Sequence, residues 1–272
     1  MKELTQDPLI PAERQEYIIN LVRQKRTVRV STLSESLGVS EITIRRDLEK
    51  LEGQGILERS FGGAILMRSM SQEPLFIQKE QIQLEAKKSI GIEAARLVNE
   101  GETIFINSGS TTKQIFSHLT RIPGLRVVTS NAAAISELCN SEESIELIVV
   151  GGTYRWQSNS IVGPFALSAI AQMNASKTFL GVDGISAQRG LTTPIQDEAG
   201  VARAMIEQTH GPIIAVADHT KMGVVAAFMM SSLARVETII TDAGLDAEWR
   251  ESLEEQGVRI IIADAGGREL AA

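Results

Sequence analysis

With 272 residues, 43% of them hydrophobic and 22% charged, the chain is too long for one average domain and has ample material for packed cores. Its formal charge of −7 gives no protein-wide basic field, its single cysteine, Cys139, excludes an intramolecular disulfide or a multi-cysteine zinc site, and its three histidines lack metal-ligand spacing. The longest apolar run, the seven residues Val224 to Met230, falls far short of a membrane span, and the start lacks the apolar core of a signal peptide. These features predict a cytoplasmic protein with no membrane contact, no metal and no cofactor. Eleven scattered aromatic residues also argue against a base-stacking platform for single strands.

Charge divides the chain near residue 70. The first 68 residues hold 11 Lys+Arg and 10 Asp+Glu, and the remainder holds 16 against 24. The acidity therefore belongs to the larger part. In the first part Tyr17, Ile18, Leu21 and Val22 form one apolar helical stripe. A short second helix covers Val30 to Leu37, and Gly38 ends it. Ser40 is a natural N-cap for a third helix, on which Ile44, Leu48 and Leu51 face inward while Thr43, Arg45 and Arg46 project outward. Ile56 to Ile65 then reads as strand, glycine turn and strand.

A short helix, a tight turn and a helix with outward Thr and paired Arg is the grammar of a helix-turn-helix, with the glycine hairpin as its wing. A three-helix bundle with a solvated charged face would share that pattern. The longer run Val39-Ser40-Glu41-Ile42-Thr43-Ile44-Arg45-Arg46-Asp47-Leu48, with Gly55-Ile56-Leu57 and Gly62-Gly63-Ala64, closely resembles the DNA-binding signature of the DeoR family of bacterial regulators. The resemblance implies a winged helix-turn-helix with Ser40, Thr43, Arg45 and Arg46 as DNA contacts and Arg59 near the wing. Asp47 is expected to pair with an arginine of the protein itself.

From about Leu84 apolar runs alternate with helical stretches. Seven strands are expected, at 103–107, 126–129, 146–150, 177–181, 213–217, 238–241 and 259–263. Such alternation predicts an α/β domain with a largely parallel sheet. The domains are therefore read as 1–68 and 84–272, with 69–83 as linker. Ligands of such sheets bind beyond the carboxyl ends of the strands. There the chain places Ser108-Gly109-Ser110-Thr111-Thr112, Thr129-Ser130-Asn131, Gly151-Gly152 with Arg155, Gly181-Val182-Asp183-Gly184, and Asp218-His219-Thr220-Lys221. Hydroxyls, backbone amides and a lysine suit an anion, and Asp183 suits ligand hydroxyls. Each feature alone is more often a turn or a cap; together they point to a phosphorylated sugar or polyol.

This half is similar to the DeoR-family effector domain and more distantly to ribose-5-phosphate isomerase, through Glu85-Ala86-Lys87-Lys88, Ser108 to Thr112, Gly181 to Gly184 and Asp218 to Lys221. The likeness implies Lys87, Ser110, Thr111, Thr112 and Lys221 as phosphate ligands. With the strand-end residues, the full effector set is Lys87, Ser108, Gly109, Ser110, Thr111, Thr112, Gly152, Arg155, Asp183, Asp218 and Lys221. Two departures stand out. Asn107 occupies a position where the regulators usually carry Asp, and Ser186 to Leu191 offers no base where the isomerase has its catalytic glutamate.

The expected protein is a repressor of sugar or polyol metabolism genes. It would bind double-stranded operator DNA as a homodimer or homotetramer and release it when a phosphorylated sugar binds the second domain. The alternative is an isomerase-like enzyme with an appended helical domain.

Overall fold

The computed structural model describes residues 9–25, 27–60, 62–66, 68–70, 73–138 and 145–264. Phe61, Met67, Ser71, Cys139 and the first eight residues lie outside these ranges. The chain forms two compact units, Met1–Arg68 with Asp246–Ser252, and Ser69–Leu245 with Leu253–Ala272. Residues 69–83, expected as a linker, therefore group with the second unit. Phe76 is the reason in part: its ring is buried, and it opens a short helix there.

The first unit contains α1 (Pro11–Lys25), α2 (Val30–Leu37) and α3 (Glu41–Gly53). Ile18, Leu33, Ile44 and Leu48 are fully buried, so the i, i+4 stripes of the three helices meet in one core. Gly38 ends α2 at φ +61°, a left-handed conformation that glycine takes without a Cβ clash. Strands Thr27–Arg29, Gly63–Leu66 and Leu57–Ser60 form an antiparallel sheet in that order. A Cβ on Gly63 would lie 1.9 Å from the Val28 carbonyl oxygen, so the hairpin closes on this sheet only with glycine there. The Thr27–Arg29 strand is new relative to the sequence reading, because three residues carry no alternation to detect. The fold is a winged helix-turn-helix.

The second unit is built on a seven-stranded parallel sheet in the order Arg259–Ala263, Thr238–Asp242, Ile213–Val216, Lys177–Gly181, Thr103–Ile106, Arg126–Thr129 and Glu146–Val149. All seven expected strands are present to within a residue or so. Side chains on a strand alternate between faces, and both faces here are covered. Ile104, Ile106 and Val127 join one apolar cluster, with Ile90 of α5 (Leu84–Ala95) and Phe116 of α6 (Ser110–Phe116). Phe105 and Val128 join another, with Ile170 of α8 (Pro164–Ile170) and Met205 of α9 (Gln196–Glu207). The short helices α4 (Phe76–Gln81) and α7 (Ala133–Leu138) complete the labelled set.

From the Thr103–Ile106 strand the chain moves outward through Arg126–Thr129 to Glu146–Val149. It then returns to Lys177–Gly181 on the other side and proceeds the opposite way. The reversal opens a crevice at the carboxyl ends of Thr103–Ile106 and Lys177–Gly181, where α/β sheets bind ligands. Short antiparallel pieces border it: the hairpin Thr153–Arg155 with Ser160–Val162, and the trio Gly184–Ser186, Gly190–Thr193 and Phe228–Ser231.

Candidate functional site

In the first unit α3 separates its faces cleanly. The Ser40 side chain accepts the Thr43 N–H at 3.3 Å, and the two hydroxyls are hydrogen-bonded to each other at 3.0 Å, so both expected contact residues also build the N-cap. Arg45 and Arg46 are exposed on the following turn, and Arg45 reaches Glu41 at 3.4 Å. Asp47 points the other way and is buried. It accepts from Arg14 Nε at 2.5 Å, the arginine partner expected for it, and from Gln15 Nε2 at 2.9 Å, which ties α1 to α3. Arg59 is half-buried on the hairpin, its backbone N–H bonded to Glu52 at 3.1 Å. Ile42, 65% exposed beside the arginines, was missed. Its signal was legible, since it lies off the buried stripe of Ile44, Leu48 and Leu51.

In the second unit the crevice is pinned by Asn107. Its Nδ2 donates to the Gly181 carbonyl at 2.9 Å, and its Oδ1 accepts the Gly181 N–H at 2.7 Å. An amide can do both; a carboxylate can only accept. The departure at Asn107 therefore has a structural role, a two-way bond across the strand reversal. Thr112 is buried behind it, and its hydroxyl donates to the Asn107 carbonyl at 2.9 Å. Ser130 and Asn131 hold the same turn, through the Ser108 N–H at 3.1 Å and the Gly109 carbonyl at 3.1 Å.

Ser108, Gly109, Ser110 and Thr111 line the pocket in this crevice, as do Asp183 and Lys221. Among the described residues the Ser110 and Thr111 hydroxyls make no hydrogen bond, and the Lys221 ammonium makes no salt bridge. Asp183 is buried: it accepts from Lys79 at 2.6 Å and from the Thr193 hydroxyl at 3.0 Å. Burial disfavours its charge, but Lys79 and Lys221 outweigh that and hold its pKa below the ordinary aspartate value. Burial disfavours the Lys79 charge in turn, but Asp183, with Glu198 and Glu73, outweighs that and raises its pKa.

Other expected ligands do not line this pocket. The Lys87 ammonium donates to the carbonyls of Lys79 and Ile82, the latter at 2.5 Å, and so supports α4. Burial lowers its pKa to about 8, against the opposing pull of Asp218. Arg155 is fixed between Glu73 and Glu198, each at 2.8 Å. Gly152 has φ +147°, and a Cβ there would meet the Val162 carbonyl at 2.4 Å, so it serves the hairpin. Asp218 caps its turn by accepting the Thr220 N–H at 3.0 Å. Its Oδ2 is buried without a partner among the described residues. Asp242 steadies the same turn, accepting the His219 N–H at 2.7 Å and facing its Nδ1 at 2.7 Å.

Among the wall residues that were missed, two carry charge, Lys79 and Glu198. Lys79 stood in a polar stretch read as linker, and Glu198 reads locally as an ordinary helix-start carboxylate. Burial raises the Glu198 pKa, with Asp183 and Glu73 adding to the effect against the Ser158 and Ser160 hydrogen bonds.

Residues 14–70 match the model of the DeoR-like helix-turn-helix domain, and residues 82–243 match that of the DeoR C terminal sensor domain. The chain belongs to the DeoR family. It is 36% identical over 253 residues to the HTH-type transcriptional regulator GlpR of Haloferax volcanii, covering 93% of this chain and 98% of that one. It is 35% identical over 253 residues to the putative aga operon transcriptional repressor of Escherichia coli O157:H7, covering 92% and 93%. Ribose 5-phosphate isomerase A from Methanocaldococcus jannaschii aligns over 52% of this chain and 55% of its own, at 14% identity and a TM-score of 0.38. This DeoR-family chain is a DNA-binding transcriptional regulator with a sensor domain, and its named relatives are regulators rather than enzymes. No helix among the described residues is long and apolar enough to cross a membrane.

Proposed function

We propose that this regulator is a cytoplasmic repressor of sugar or polyol metabolism genes, released from its operator by a phosphorylated sugar or polyol bound at the strand reversal. One observation carries the reading. The unbonded Ser110 and Thr111 hydroxyls and the uncommitted Lys221 ammonium share a pocket with the buried Asp183 carboxylate. A phosphate needs donors and positive charge; sugar hydroxyls need an acceptor. Lys221, Ser110 and Thr111, with backbone amides of residues 109–111, would take the phosphate. Asp183 would accept from the hydroxyls.

On the DNA side Arg45 and Arg46 would contact phosphates or guanine edges, and Ile42 would meet a thymine methyl. Ser40, Thr43 and Arg59 would position the helix and wing on the backbone. A homodimer or homotetramer would match a symmetric operator. Release follows from linkage: the effector weakens DNA binding to the extent that it prefers the arrangement that binds DNA poorly. A thermal-shift screen of phosphorylated sugars and polyols with the full chain tests the reading, because a ligand of the native state raises the melting temperature. A hit should also free bound operator; a panel with no hit would refute the assignment.

A further inference from the structure

Among the described residues two lysines line the pocket, and they differ in state. Lys221 forms no salt bridge, whereas Lys79 is bonded to Asp183 at 2.6 Å with both side chains largely buried. Lys79 stands on α4, a helix of six residues and too short to persist by itself. Phe76 and Lys79, three positions apart, both face the pocket, while Ile77 between them is 73% exposed. The rest of what holds α4 is polar. The Phe76 N–H donates to the Gln157 carbonyl at 2.6 Å, Glu80 pairs with Lys113 of α6 at 2.6 Å, and Lys87 donates to two carbonyls at the end of the helix. The pocket wall formed by α4 is therefore tied to its centre by one exchangeable bond, from Lys79 to Asp183.

We propose that Lys79 is a ligand-binding residue and that the Lys79–Asp183 bond sets the chemical class of the ligand, one molecule carrying both an anionic group and hydroxyls. This rests on the reading of the pocket as the effector site. A neutral polyol brings donors to Asp183 but strands the Lys79 ammonium. Inorganic phosphate satisfies Lys79 but strands Asp183. A charge left unpaired in a buried site is costly, so each half alone is a poor ligand. A phosphorylated polyol offers its anion to Lys79 and Lys221 and its hydroxyls to Asp183, so both buried charges keep a partner. Support of α4 then passes from the protein's own carboxylate to the ligand. Since α4 is the first helix of the second unit in chain order, occupancy is registered where the chain enters that unit.

The test uses the full chain with ribose 5-phosphate, fructose 6-phosphate and glycerol 3-phosphate, their unphosphorylated parents, and inorganic phosphate. Binding is measured by calorimetry, and backbone exchange of 76–82 by mass spectrometry. The best phosphorylated probe should bind at least about tenfold tighter than its parent or inorganic phosphate, a difference of ~1.4 kcal/mol. Lys79→Met should lose about tenfold or more in affinity, Lys79→Arg should recover most of it, and the exchange change on α4 should vanish in Lys79→Met. Lys79→Met/Asp183→Asn leaves no lone buried charge and so controls for misfolding. A folded double variant that binds like wild type overturns the proposal. If Lys221→Ala loses binding while Lys79→Met matches wild type in affinity and exchange, the pocket reading stands and the role of Lys79 falls. If neither substitution weakens binding, or no probe binds wild type, the pocket reading falls with it.

Discussion

On α3 of the first unit Arg45 is exposed, and its carboxylate partner, Glu41, lies one turn away at 3.4 Å. At the strand reversal of the second unit Lys79 and Arg155 are largely buried, and their partners Asp183 and Glu73 are brought from distant parts of the chain at 2.6 and 2.8 Å. The same residue types thus serve opposite ends. An exposed cation with a weak partner is available to a polyanion at little cost. A buried cation is already committed and can only exchange one partner for another. The first arrangement suits a long, uniformly charged ligand such as DNA, and the second suits a small ligand that must match a fixed set of charges.

Removing a partner in each place tests that contrast. Asp183→Ala strands Lys79 and should destabilise the second unit by about 3–5 kcal/mol, whereas Glu41→Ala should change stability by less than about 1 kcal/mol. Urea denaturation of the two variants measures both, and equal losses would erase the distinction.

A next effect comes from Lys87. Its pKa is about 8 in the fold against 10.5 for an unburied lysine, so between those values the unfolded chain binds a proton that the folded chain lacks. Stability from this group therefore rises with pH across that window, by roughly 3 kcal/mol in all at ~1.36 kcal/mol per unit. Lys87→Met should remove that part of the slope in melts taken from neutral to alkaline pH; an unchanged slope would assign the titration elsewhere.

Smaller again is Asn107→Asp, which sets a carboxylate oxygen against the Gly181 carbonyl. It should cost about 1–3 kcal/mol in denaturant titrations, and a neutral result would show that the two-way bond is dispensable. The smallest stability effect belongs to Arg45→Ala and Arg46→Ala, within about 0.5 kcal/mol, although each should weaken operator binding by about 1–3 kcal/mol. Fluorescence anisotropy with labelled operator and a thermal melt separate the two quantities.

The sequence revealed most where the determinants are local. The stripe of Ile44, Leu48 and Leu51, the Ser40 cap and the seven apolar strands are set by spacing within a few residues, and the structure has them all. The pocket was legible only as a rim. Which rim residues face it depends on side-chain partners, some a few residues away and some distant, that apolar spacing does not reveal. Thr112 turns to the Asn107 carbonyl, Arg155 turns to Glu73 and Glu198, and Lys87 turns to α4, while Ser110, Thr111, Asp183 and Lys221 remain on the pocket wall. Lys79 could not be found at all from spacing, because its partner lies 104 residues away.

In the proposed mechanism a phosphorylated ligand at the strand reversal controls DNA binding. The most direct test is titration of a wild-type operator complex and a Lys221→Ala complex with the best phosphorylated ligand from the thermal-shift screen, followed by anisotropy. Both proteins should bind operator equally well, and Lys221→Ala should require at least about tenfold more ligand than wild type for release. Release of both complexes at the same ligand concentration would contradict that mechanism.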